Sequence, residues 1–161
     1  MRILGIDPGL ATVGIGWLES LSPQAFLNPQ WLTIRTAAGL PLLERLLEIQ
    51  KDIEQCLEET KPDLVVIERL FFATNVSTAI DVAQARGTIL VTVAGHAIPV
   101  LEPTPLQLKL AITGDGQADK LQMQTMLLHL LQLKEIPKPD DAADALALAV
   151  YGALQHSFVS L

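Results

Sequence analysis

Cysteine is nearly absent from this 161-residue chain, and the one that occurs, Cys56, excludes an internal disulfide and a cysteine-based zinc centre. The three histidines, His96, His129 and His156, are scattered without metal-ligand spacing. Aromatic residues make up only 4%, so the core is expected to be aliphatic. Charged residues, at 18%, fall below the ~25% of an average soluble protein, and 50% of the chain is hydrophobic, which argues against disorder. No uncharged run reaches the ~18 residues of a membrane span, and the N-terminus lacks the shape of a signal peptide. No Gly-Lys-Ser/Thr follows Gly114 or Gly116 at the spacing of a phosphate-binding loop, and no Gly-x-Ser-x-Gly elbow occurs. The expectation is one cytoplasmic domain over residues 1–161, in a reducing compartment and with no membrane partner.

Positive charge is also scarce: 11 basic residues face 18 acidic ones, for a net charge of −7. Such a balance ordinarily disfavours a nucleic-acid partner. Its distribution softens that reading. Glu44, Glu48, Asp52, Glu54, Glu58 and Glu59 crowd residues 40–60 against only Arg45 and Lys51. Setting aside that segment and the candidate metal ligands Asp7, Glu68, Asp141 and Asp144 leaves nine basic residues against eight acidic ones. Nucleic acid is permitted by charge, though not favoured by it.

Arg2 to Ile6 is an apolar run closed by the turn signal Asp7-Pro8-Gly9. Val13 to Leu18 follows closely enough to form an antiparallel hairpin with it. Pro23, Asn28 and Pro29 are expected to break the chain before a third strand, Trp31 to Thr36. From Leu40 to Glu59, Leu42, Leu46, Ile49, Ile53 and Leu57 recur at helical spacing with the acids opposite. Leu64 to Ile67 reads as a strand buried on both faces. Further expectations are a helix over 76–95, a strand over 98–101, a short helix after Pro103 and Pro105, and a glycine-containing loop over 113–119. Helices over 121–133 and 140–155 complete the chain. Three consecutive strands and then alternating helix and strand imply an α/β fold with a mixed sheet flanked by helices.

The informative residues are acids at the ends of apolar elements. Asp7 closes the first strand and Glu68 closes Leu64–Ile67. If those strands are parallel neighbours, both carboxylates emerge at the carboxyl edge of the sheet, where open α/β sheets place ligands. Asp141 and Asp144, three apart at the start of a helix, share one face that can point at the same edge. Asp140 is expected to cap that helix. Taken alone, Asp7 is an ordinary turn residue, Glu68 a strand end and Asp141 a helix-dipole partner. Asp144 is harder to explain so, because it sits among alanines and leucines. Four close anions repel one another unless a cation lies between them. Oxygen ligands without His or Cys suit Mg²⁺ or Mn²⁺ rather than Zn²⁺, and such ions can activate water and stabilise a leaving oxygen in phosphoryl displacement.

Gly5-Ile6-Asp7-Pro8-Gly9 is followed by Glu68 after an apolar strand, by Gln84-Ala85-Arg86-Gly87, by Thr113-Gly114-Asp115-Gly116-Gln117-Ala118-Asp119-Lys120, and by Asp141-Ala142-Ala143-Asp144-Ala145-Leu146-Ala147. In this ordered series, spanning about residues 2–152, the chain resembles the RuvC-type crossover-junction endonucleases, which resolve Holliday junctions in bacteria. The resemblance implies an RNase H-like fold. It further implies a homodimer that clamps a four-way DNA junction and nicks two strands of like polarity at symmetric positions, leaving ligatable 5′-phosphate and 3′-hydroxyl ends. The acids Asp7, Glu68, Asp141 and Asp144 match the divalent-metal catalytic site of that family. Lys109 and Lys120 match residues that contact DNA phosphates, and Phe71 matches an aromatic that stacks on a junction base. Bacterial relatives work beside a branch-migration motor, the RuvA–RuvB complex. Ala79, Ala83 and Gly87 recur every four residues, a stripe that suits close approach of another element, whether a second subunit or the chain's own sheet.

Leu10-Ala11, Thr74 and Gln117 stand where polar or basic residues are common in such relatives, which implies fewer phosphate contacts and a shallower salt dependence. Two rival readings accompany the first: a nuclease of the same fold acting on structured or precursor RNA, and a catalytically idle junction-binding dimer. An actin-like ATPase is excluded by length, since 161 residues cannot supply its second half-domain.

Overall fold

Apolar runs separated by turn residues build one five-stranded sheet in the computed structural model, which describes residues 1–22, 25–70 and 76–156. The strands are β1 (Arg2–Asp7), β2 (Thr12–Ser22), β3 (Ala25–Arg35), β4 (Leu64–Ile67) and β5 (Val100–Leu101). The helices are α1 (Leu42–Thr60), α2 (Val76–Gly95), α3 (Pro105–Thr113), α4 (Lys120–Leu131) and α5 (Asp140–His156). Strand order is β3-β2-β1-β4-β5. The first three strands pair antiparallel, and β4 and β5 join parallel to β1. The mixed sheet expected from the sequence is the one observed.

One boundary is corrected. Asn28 and Pro29, expected to stop the chain before the third strand, both lie inside β3. β3 is the sheet's edge, and its register with β2 shifts between Trp17 and Glu19, opposite this dipeptide. Asn28 takes a left-handed conformation with φ 51° there. An edge strand with a bulge accommodates a proline that a central strand would reject.

Alternation along the strands sorts the core into two layers. Leu4, Ile6, Val13, Ile15, Val65 and Ile67 meet Ile49, Ile53, Leu57, Ala85, Ile89 and Val93 of α1 and α2 on one face. Ile3, Leu18, Leu64 and Val66 meet α3, α4 and α5 on the other. The same parity carries Gly5 and Asp7 of β1, and Glu68 just beyond β4, to the α5 face. That face is where the four acids gather.

Helix α5 lies unusually close to the sheet. Gly5 and Gly16 are register partners on β1 and β2, as are Asp7 and Gly14. A Cβ on Gly14 would stand 1.9 Å from the Asp141 carbonyl oxygen, and one on Gly5 2.0 Å from that of Ala145. These bare positions form a seam on which the α5 backbone rests, with Ala142, Ala145 and Ala149 buried beside it. Any side chain in the seam would lift the helix and the acids it carries.

Candidate active site

Asp7, Glu68 and Asp144 line one cleft of about 250 Å³ together with Lys109, Lys120, Met123 and Pro105. Each acid arrives on a different element. Asp7 ends β1, where the following turn is held by the Thr36 hydroxyl, which donates to the Leu10 carbonyl at 2.6 Å and accepts from Arg45 Nε at 2.8 Å. Glu68 follows β4, whose register with β1 sets Ile67 beside Ile6. Asp144 stands one turn into α5.

Asp141 takes a different outlook. It borders a neighbouring open depression with Arg35, Lys138, Pro139 and Asp140 rather than the cleft itself. A three-residue step along a helix turns side chains about 60° apart, so a shared face still allows two neighbouring outlooks. Asp141 remains close enough for its charge to act on Asp7.

Mutual repulsion is written into the acids' protonation. Burial first, then the charges of Asp144, Glu68 and Asp141, push the Asp7 carboxyl from an ordinary 3.8 up to about 7, against a lowering pull from Lys120. Burial and Asp144 also raise Glu68, while Lys109 pulls it down. Burial raises Asp144 against the opposing charge of Lys120, and Asp140 and Asp141 raise it further. A site that holds anions at this cost is chemically matched to a hard divalent cation: its anionic donors are all carboxylate oxygens, with neither imidazole nor thiol among the described residues of the cleft. Among the described residues, no three carboxyl, imidazole or thiol side chains stand ready around a common point. The fit therefore lies in the donor chemistry and the concentrated negative charge.

The Thr113–Lys120 motif proves to be a device for presenting a lysine. Asp119 caps α4 by accepting from the Gln122 backbone at 2.9 Å, and the Gln122 side chain accepts in return from the Asp119 backbone at 2.7 Å. Gly114 takes a φ of 79° at the end of α3, and Asp115 accepts from the Gln117 backbone at 2.8 Å. The loop thus delivers Lys120 as the first residue of α4. Lys120 is ion-paired, 2.8 Å from Asp140 and 3.8 Å from Asp144. This corrects the expected capping role of Asp140. It is the first residue of α5, the Pro139 carbonyl accepts from Ala142, and the Asp140 carboxylate turns to Lys120, which holds it below its usual range.

Phe71 lies outside the described residues. Gly14 and Gly16 are residues of consequence that the sequence does not single out, and Arg86, within the Gln84–Gly87 motif, has partners that the sequence does not show. For the glycines the available signal is two bare positions in a strand that otherwise reads as core.

Several known proteins are similar to this chain over most of its length. The sequence profile of the family described as crossover junction endodeoxyribonuclease RuvC matches residues 3–152. The crossover junction endodeoxyribonuclease RuvC of Brevibacillus brevis is 48% identical over 162 residues, covering 100% of this chain and 96% of that protein. Its counterpart in Gloeobacter violaceus is 45% identical over 156 residues, covering 97% and 90%. Thermus thermophilus RuvC superposes with a TM-score of 0.89 at 31% identity, over 99% of this chain and 98% of that one. The same protein in complex with Holliday junction substrate gives a TM-score of 0.89 at 31% identity, over 99% and 97%. The fold is therefore the RNase H-like fold of the resolvases.

Proposed function

The chain belongs to the RuvC family of crossover junction endodeoxyribonucleases, and from that premise we propose that it resolves four-way DNA junctions in recombination and repair. In this reading it hydrolyses one phosphodiester bond in each of two strands of like polarity, at symmetric positions. The observation that carries it is the convergence of Asp7, Glu68 and Asp144 with two lysines in a single cleft, with Asp141 at its margin. A catalytically idle junction binder would gain nothing from such a concentration of repelling charge.

The family's nucleases are metal-dependent. The all-oxygen donor set of Asp7, Glu68, Asp141 and Asp144 suits Mg²⁺, with Mn²⁺ able to replace it. When bound, the cation supplies charge that favours ionisation of the attacking water and stabilises the leaving oxygen. The protein's own residues do the rest. Asp7, the most strongly perturbed acid, stands at the centre of the negative field. Lys109, the cation acting on Glu68, is placed to meet a DNA phosphate at the cleft. Lys120 pins Asp140 and Asp144 and presents its remaining donor capacity to the same phosphate. Hydrolysis on this plan leaves 5′-phosphate and 3′-hydroxyl ends that a ligase can seal.

Two like cuts call for two sites, hence a homodimer. The outer stripe of α2 suits the contact: Ile80 is 55% and Val91 74% exposed, and Gly87 meets nothing within 4 Å. The small-residue stripe is thus free of the chain's own sheet at Gly87. Val91→Glu is expected to convert a dimer to a monomer in sedimentation, with little change in the monomer's thermal midpoint. The proposed partners extend to the RuvA–RuvB branch-migration complex, and in this proposal the protein acts as one cytoplasmic nuclease domain over residues 1–161. Among the described residues, no helix is long and apolar enough to cross a membrane.

Lys109→Ala is expected to weaken junction binding and to reduce the slope of log affinity against log salt by about 0.9, the signature of one lost phosphate contact. An unchanged slope would remove Lys109 from the DNA interface. The reading as a whole is tested by incubating the protein with a synthetic junction and a matched linear duplex, in Mg²⁺ and in chelator. Nicking of the junction alone, and only with metal, is expected, with junction binding retained in chelator. Binding without nicks in both Mg²⁺ and Mn²⁺ would contradict it.

A further inference from the structure

Arg86 takes no part in the cleft, yet three elements meet on its side chain. It sits on α2 with its side chain only 14% exposed. Its Nε donates to the backbone carbonyl of Glu68 at 3.0 Å, and its Nη2 pairs with the carboxylate of Glu102, the residue that follows β5. The adjoining peptide is fastened too, because the Arg69 N–H donates to the Pro103 carbonyl at 2.8 Å. The segment carrying Glu68 leaves β4 after only four residues. The Arg69–Pro103 bond keeps the spacing of the β4–β5 pairing just past its end, and the Glu68 carbonyl itself is held from another element by Arg86.

We propose that Arg86 is a positioning residue that holds the Glu68 backbone, and through it the Glu68 carboxylate, in register with Asp7 for metal binding. This rests on the reading of Glu68 as a metal ligand. The chemistry favours arginine at this position. One planar guanidinium reaches a carbonyl and a carboxylate at once, which a lysine ammonium on a flexible stem does with less directional control. The charge of Arg86 is engaged by Glu102, and the cation that acts on the Glu68 carboxyl is Lys109. Arg86 therefore works on Glu68 by geometry. Groups that orient metal ligands typically change metal affinity or activity by ~10–100-fold when removed. Since α2 is also the helix assigned to the dimer contact, the same side chain ties that helix to one acid of the cleft.

The test compares Arg86→Gln, Arg86→Lys, Glu102→Gln and Glu68→Gln with the wild type, in the full-length protein. Calorimetric titration with Mn²⁺ without DNA is read alongside junction affinity in chelator, cleavage against Mg²⁺ concentration, and the thermal midpoint. The proposal expects Arg86→Gln to weaken Mn²⁺ binding and raise the half-saturating Mg²⁺ by about 10–100-fold, with junction affinity unchanged and partial recovery in Arg86→Lys. Glu102→Gln, which frees the guanidinium on one side, is expected to fall between wild type and Arg86→Gln. Wild-type metal binding in a folded Arg86→Gln protein would overturn the proposal, as would a drop in thermal midpoint with metal affinity intact. Should Arg86→Gln not fold, Glu102→Gln with wild-type metal binding overturns it. Cleavage that survives Glu68→Gln would overturn the reading of the site itself, an outcome separable from the others.

Discussion

Asp7→Asn is expected to abolish junction cleavage and, in the same molecule, to make the metal-free protein more stable. The first effect follows from removing the central charged donor, and a loss of at least ~10²–10³-fold is the scale for one lost transition-state contact. The second follows from the raised carboxyl. In the unfolded chain Asp7 ionises near 3.8, whereas burial and its acidic neighbours push it to about 7 in the fold. Between those values the folded state holds a proton that the unfolded state has released, so stability falls as pH rises through the window. The full penalty is in place above about pH 7. Each tenfold change in proton affinity is worth ~1.4 kcal/mol, which makes the penalty on the order of 4 kcal/mol. Asparagine never ionises and escapes it. In chelator, the variant's thermal midpoint is therefore expected to match wild type near pH 4 and to exceed it by roughly 10 °C at pH 8. A midpoint difference that does not grow with pH would contradict this account of Asp7.

Gly14→Ala is expected to be the most damaging single-methyl change in the chain. Its Cβ would lie 1.9 Å from the Asp141 carbonyl oxygen and 2.5 Å from that residue's carbonyl carbon, and both are backbone atoms that no rotamer change can move. Gly5→Ala meets the Ala145 carbonyl oxygen at 2.0 Å, and Gly16→Ala the Leu146 nitrogen at 2.5 Å. Relief requires α5 to lift from β1 and β2, which opens contacts along a helix whose Ala142, Ala145, Leu146 and Val150 are fully buried. Losses above ~4 kcal/mol are exceptional for one substitution, and buried overpacking against backbone belongs among their named causes. Urea denaturation is expected to show at least ~3 kcal/mol lost for Gly14→Ala. Gly39→Ala, with nothing within 4 Å, is expected to stay within ~0.5 kcal/mol of wild type. Because Gly14 faces Asp141, whatever folded protein remains is also expected to cleave poorly.

Asp7 and Glu68 are legible in the sequence because strand parity is local. Ile3, Gly5 and Asp7 alternate to one face, Leu64, Val66 and Glu68 do likewise, and a parallel β1–β4 pairing is all that is needed to join them. Asp144 is legible as the acid among alanines and leucines, its convergence with them depends on where α5 is seated, and the separate outlook of Asp141 follows from the angular remainder of helix spacing. The glycine seam is hidden because its cause is long-range: nothing near Gly14 or Gly16 in sequence announces a helix that arrives more than a hundred residues later. Arg86 stands in a legible motif, but its contacts are hidden for the same reason, since its partners Glu68 and Glu102 come from two other elements. Pro29 misleads because proline usually ends a strand, and only its place on a bulged edge allows the exception. Asp140 misleads because a partner across space, Lys120, replaces the local capping bond.

Symmetric cutting of a four-way junction by paired carboxylate sites can be read by mapping the cuts on a mobile junction whose four strands are separately end-labelled, in Mg²⁺, followed by treatment with ligase. Paired nicks at matching positions in two strands of like polarity are expected, sealed by ligase, with none on linear duplex and none with Asp7→Asn. Unpaired cuts, cuts shared equally with linear duplex, or cleavage that persists in Asp7→Asn would contradict the proposal.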